Sequence, residues 1–119
     1  DKGVSGFSVH PGGIMTPLQR HLENEEMVAL GWLKEDGSPS DLAKNFFKTP
    51  SQGASTTLWC ATSPKLKDIG GVFCEDCDIA KKKSEVDESL QRYFGVADWA
   101  VDTNEASKLW AATENMLSS

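Results

Sequence analysis

Cys74-Glu75-Asp76-Cys77 has the C-x-x-C spacing of redox and metal-binding thiol pairs. Both chemistries need thiolates, and the two carboxylates between these sulfurs disfavour thiolate formation. If Cys74 lies on a strand, an i, i+3 pair also points to opposite faces unless the strand ends first. A zinc site would need two more ligands from Cys60, His10 and His21, none at a recognisable spacing, so no metal site is expected. Neither histidine neighbours a Ser or Cys in a nucleophile motif. His10 is expected to pack at a strand end, and His21 to sit solvated near the negative pole of a helix. The group that remains is His10-Pro11-Gly12-Gly13, followed by Ile14-Met15-Thr16-Pro17. Pro11 fixes an exit from the apolar run before it, and the two glycines allow positive φ or a close approach of backbone to a neighbour.

The elements that must position these residues alternate between strand and helix. Val4 to Val9 is short, contains β-branched and aromatic residues and stops at the Pro-Gly turn, so it reads as a buried strand. Thr16-Pro17 offers a cap and a first-turn proline for a short helix over 17–22. A second helix can start at Asn24, with Glu25 and Glu26 at its positive end and Met27, Leu30 and Leu33 along one side. Residues 42–47 make a further short turn or helix. Thr49-Pro50-Ser51-Gln52 combines a cap, a first-turn proline and a capping-box glutamine, and predicts a helix from 50 to about 63, ended by Pro64. Its small residues, among them Gly53, Ala54 and Ala61, suggest close packing. Gly70 to Cys74 reads as a second short strand. A lysine-rich loop over 81–83, a helix over 86–93 and a terminal helix follow. The last starts at Asp102-Thr103-Asn104-Glu105, read as a capping box, and carries Ala106, Leu109, Trp110, Thr113 and Met116 on one side. Two strands this far apart cannot make a stable sheet alone, so both are expected to be edge members of a larger one.

Composition narrows the partners. A chain with 39% apolar and 25% charged residues is globular and of at most one domain. The net charge of −6 argues against nucleic acid, because phosphate backbones are bound by clustered Lys and Arg. The one basic run, Lys81-Lys82-Lys83, is followed at once by Glu85, Asp87 and Glu88 and reads as a solvated loop. No apolar run approaches the roughly 18 residues that cross a bilayer. Three cysteines form no disulfide framework, and a cytoplasmic setting is expected. Asp1-Lys2-Gly3 leads into the first apolar run without an initiator Met, as in a chain that starts within a longer one.

The run from Val9 to Leu18 resembles the segment after the sixth parallel strand of short-chain dehydrogenases/reductases, especially the retinol-dehydrogenase-like and protochlorophyllide-reductase-like branch. Gln52-Gly53-Ala54 through Trp59-Cys60-Ala61-Thr62, leading into Gly70 to Cys77, is a second likeness. Gly95-Val96-Ala97-Asp98-Trp99-Ala100, with Ala106 and Leu109-Trp110, is a third. They fall in family order and cover nearly all of the chain.

The resemblance implies an α/β fold, the C-terminal portion of a Rossmann-like doubly wound parallel sheet, with two short strands, a lid and flanking helices. It divides the chain into a strand and cofactor turn (1–16), a substrate lid (17–48), a helix and last strand (49–80) and C-terminal helices (81–119). It implies that Pro11 and Gly12 lie against the nicotinamide of NAD or NADP. The backbone of Ile14 would hydrogen-bond the carboxamide, and the Thr16 hydroxyl would reach the carboxamide or pyrophosphate. The residue types suit this, since a flat ring needs a side-chain-free approach and an amide needs backbone donors and acceptors. Met15, Leu18 and Trp32 would help to give the lid an apolar inner surface for a small apolar alcohol or carbonyl. Homo-oligomers would form through 50–63 and 72–77.

The same resemblance marks what the chain lacks. It has no G-x-G turn to seat a pyrophosphate. The family's chemistry needs a Tyr-x-x-x-Lys pair, in which the lysine lowers the tyrosine pKa for proton exchange with the substrate oxygen. The one tyrosine, Tyr93, is followed four residues on by Ala97. No catalytic residue is therefore assigned, and an N-terminal Rossmann half is the implied partner. The expected function is part of an NAD(P)-dependent oxidoreductase, inactive as the isolated chain. The alternative is a non-catalytic interaction module or an inactive remnant of that fold.

Overall fold

The computed structural model describes residues 3–118, so the expectation drawn from Asp1 and Lys2 lies outside the described residues. The first strand, β1 (Phe7–His10), is shorter than the apolar run that announced it. Pro11 ends it, and the chain re-enters extended structure at β2 (Gly13–Ile14). Thr16 caps a 3-10 turn over Pro17–His21, with its hydroxyl accepting from the Leu18 N–H. Helix α1 (Asn24–Ala29) ends earlier than its apolar side suggested, since Gly31 takes φ +74° and turns the chain away. Ser40 then caps α2 (Asp41–Phe46), which runs directly into β3 (Phe47–Lys48). Strands β2 and β3 pair in parallel, Gly13 with Phe47 and Ile14 with Lys48, so the two ends of the intervening excursion are tied together at its base.

Helix α3 (Pro50–Thr62) has the full reciprocal capping box expected of Thr49 and Gln52. It supplies the crossover that a parallel strand pair requires. It lies on the face shared by β1 and β4 (Val72–Glu75), whose register is Phe7 with Val72 and Val9 with Cys74. Gly53, Thr56 and Cys60 form its buried side, spaced for one helix face. The core is Cys60, Leu66 and Cys74, with Phe7, Val9, Trp59, Ile69 and Val72 packed around it.

The structure corrects several expectations. Beside the two longer strands, the described residues hold three of two residues each, because β5 (Asp78–Ile79) turns back antiparallel to β4 and β2–β3 form a separate ribbon. Residues 86–93 are turns, not a helix. The Ser89 hydroxyl and N–H both bond to Asp87, and the Gln91 amide donates to the Val86 carbonyl, so side chains take up backbone groups that a helix would use. So short a segment also gives little return on helix nucleation. The last helix, α4 (Thr103–Leu117), is capped by Asp102, which accepts from the Asn104 and Glu105 N–H groups. Glu105 does not close a box; it pairs with Lys108 one turn on.

Packing is thin for the length of chain. Every residue of α4 is exposed, including Trp110 at 67%. The molecule presents 9104 Å² of surface, where a compact monomer of 13.0 kDa presents about 6,300 Å². Its radius of gyration is 17.8 Å, against about 13.5 Å for a compact domain of this length. Among the described residues no helix is long and apolar enough to cross a membrane.

Candidate functional site

The carboxyl ends of β1 and β4 open into one cleft of about 790 Å³. His10, Pro11 and Gly12 leave β1 at its floor, and Glu75 and Asp76 leave β4 beside them. The excursion between β2 and β3 and the turns around residue 93 supply the rest of the lining.

Gly12 has φ +88°, the left-handed region that favours glycine. A Cβ there would also stand 2.9 Å from Cδ and 3.0 Å from Cε of Lys48, whose side chain lies across the turn. The Lys48 ammonium is ion-paired with Asp76 at the tip of the β4–β5 hairpin. That tip is tied down elsewhere too. Thr56, 1% exposed on α3, accepts the Cys77 N–H at 3.2 Å, and the Glu75 carboxylate accepts the Gly95 N–H at 2.9 Å. Asp76 and Cys77 both adopt positive φ there, so the C-x-x-C pair is a hairpin turn with one sulfur buried and the other exposed. Cys74 is fully buried, and desolvation, reinforced by the Cys60 thiol beside it, pushes its pKa up to about 11. That thiol stays neutral and is a poor nucleophile at ordinary pH.

The Ile14 side chain packs on Gly53, where a Cβ would come within 2.9 Å of Ile14 Cγ1. Ile14 is among the residues that line the cleft, and its carbonyl accepts from the Gln19 side-chain amide at 3.0 Å. Gln19 Oε1 accepts in turn from the Thr16 N–H at 2.7 Å and the Thr16 hydroxyl at 3.1 Å. Pro11, Gly12, Ile14 and Thr16, the four residues expected to meet a cofactor, thus line one cleft with Leu18 and Trp32. Met15 does not line it, and its side chain is 43% exposed.

Sequence reasoning missed Lys48, Asp76, Phe46 and Arg92 at this cleft, and it considered Tyr93 only for a lysine that is absent. Gln19 had a readable signal, standing three residues after Thr16 as a capping box requires. Lys48 had none.

No protein-family model and no solved structure matches the chain. Curated proteins do. A short-chain dehydrogenase/reductase, prx1, of Penicillium roqueforti is 40% identical over 116 residues, which is 98% of this chain and 31% of the relative. A probable oxidoreductase of Streptomyces lividans is 35% identical over 116 residues, 98% of this chain and 37% of the relative. The chain belongs to the short-chain dehydrogenase/reductase family. Retinol dehydrogenase 11 of Homo sapiens is 37% identical over 78 residues, 66% of this chain and 21% of the relative. This short-chain dehydrogenase segment spans about a third of the length of the first two relatives.

Proposed function

We propose that the chain forms the cofactor-turn and substrate-covering part of an NAD(P)-dependent oxidoreductase acting on an alcohol or carbonyl. One observation carries this reading: the carboxyl ends of two parallel strands open into a single cleft lined by Pro11, Gly12, Ile14 and Thr16. Open α/β sheets bind their ligands at that edge.

The residues present fit the nicotinamide end of the cofactor. Gly12 offers a turn without a side chain, and Ile14 lines the cleft while its side chain packs on Gly53. A bound nicotinamide would supply or accept the hydride. Within this chain, the Pro11-Gly12 turn would position the ring and the Ile14 backbone would hold its amide. The lid residues would exclude water, which strengthens electrostatic interactions inside the site. Neither a pyrophosphate seat nor a Tyr-x-x-x-Lys pair occurs in the sequence, so both fall to a nucleotide-binding half. Such a half would also cover the outer edge of β1 and the exposed side of α4. Self-association through 50–63 and 72–77 would use the outward face of α3, where Leu58 is exposed. Isothermal titration of NADPH and NADH tests the reading. The complete enzyme is expected to bind one of them and the separate chain neither, and failure of the complete enzyme to bind either refutes it.

A second reading, a protein-interaction module, is favoured by one feature, the fully exposed α4 with Leu109, Trp110, Met116 and Leu117. Pull-down by the separate chain without added cofactor, lost in Trp110→Ala, would support it.

A further inference from the structure

Three stretches far apart in the sequence deliver aromatic rings to the lining of the cleft. Trp32 comes from the loop after α1, Phe46 and Phe47 from the junction of α2 with β3, and Tyr93 and Phe94 from the turns before Gly95. The rings meet at defined angles. Phe46 is stacked on Tyr93 with centroids 4.9 Å apart and planes 18° apart. Phe94 stands 6.4 Å from Phe46 at 51°, and Trp32 meets Phe47 edge-on at 5.6 Å and 67°.

These rings are not simply the core of the lid. The fully packed side chains there are small, as with Ala43, while Phe46 remains exposed even when stacked. The Phe46–Tyr93 pair also ties the lid to the segment after β5, so the wall is fixed by contacts between distant parts of the chain. A wall of aliphatic side chains adapts to any apolar shape. Flat rings held at set angles present flat faces and electropositive edges, and these reward another ring in offset-stacked or edge-to-face contact.

Resting on the hydride-transfer reading above, we propose that the apolar part of the substrate is a planar aromatic ring. The Phe46–Tyr93 stack provides the surface that selects it. The carbonyl or alcohol then faces the Pro11-Gly12 turn, which lines the same cleft.

The test compares 2-acetylnaphthalene with 2-acetyldecalin, which share a skeleton and differ in flatness and saturation. Binding is measured on the complete enzyme by saturation-transfer NMR, with kcat/KM from NAD(P)H consumption. The naphthyl ketone is expected to bind about tenfold more tightly, the scale of one or two aromatic contacts. Phe46→Leu and Tyr93→Leu should each bring the ratio below about threefold with cofactor affinity unchanged, whereas Tyr93→Phe, which keeps the ring, should retain it. Equal binding of the two ketones to the wild type overturns the proposal, as does a ratio that survives both leucine substitutions. The NMR readout does not need turnover. A ring preference without cofactor binding would therefore refute the hydride-transfer reading while leaving the planar site standing.

Discussion

Replacing Gly53 by alanine should destabilise the protein through Ile14, and removing the Ile14 terminal methyl should relieve most of that effect. Two terms oppose each other. In a helix interior, Gly to Ala gains about 1 kcal/mol of propensity. At this position the added Cβ would stand 2.9 Å from Ile14 Cγ1 and nearer still to Cδ1, and overpacking of this kind costs about 1–3 kcal/mol. The expected net loss for Gly53→Ala is about 1 kcal/mol, within a range of about 0–2. Ile14→Val alone should cost about 0.5–1.5 kcal/mol for a lost buried methyl group. With Cδ1 gone the clash is largely relieved and the propensity gain emerges. The double variant should then be no less stable than Ile14→Val, a coupling of about 1–2 kcal/mol. Urea unfolding of the complete enzyme, followed by tryptophan fluorescence and far-UV circular dichroism, measures all four corners of the cycle. Single-variant losses that add within about 0.5 kcal/mol would refute the contact between α3 and Ile14.

Gly12→Ala places a side chain at φ +88° and against the Lys48 stem. It should cost about 1–2 kcal/mol and weaken cofactor binding in the same titration; unchanged affinity would remove Gly12 from the site. Thr56→Val deletes the acceptor of the Cys77 N–H and should lower stability by about 1 kcal/mol, while Thr56→Ser should stay near the wild type. Cys74, with its pKa raised to about 11, contributes stability that is complete below the unfolded thiol pKa and is lost as pH rises toward that value. Urea midpoints should therefore fall between about pH 9 and 11 in the wild type and fall less in Cys74→Ala. Identical profiles would count against a buried neutral thiol.

The features legible in the sequence are those that local chemistry decides. Thr49, Pro50 and Gln52 announced α3 because a cap acts within four residues, and Pro11 announced the end of β1 because proline lacks a ladder donor. The rest of the cleft's lining was not legible. Phe46 and Tyr93 stand 47 positions apart, Lys48 and Asp76 stand 28 apart, and neither pairing leaves a periodicity to read. Strands of two residues such as β2, β3 and β5 are likewise too short for an alternation pattern. The helix expected over 86–93 failed for the complementary reason, since local hydrogen bonds to Asp87 and Val86 outweighed a weak propensity.

In the strand order β1, β4, β5, the first strand lies at the margin of its sheet. Along that margin β1 offers backbone donors and acceptors over Phe7, Ser8, Val9 and His10, with no lysine or proline among them to deter another strand. A sheet that continues on that side conceals the margin, but a protease cut just before Val4 would turn it into a template. Fragments carrying this segment should then pair edge to edge and come out of solution. The strand that ends at the Pro11-Gly12 turn is, with that margin bare, a part of the molecule prone to seed aggregates.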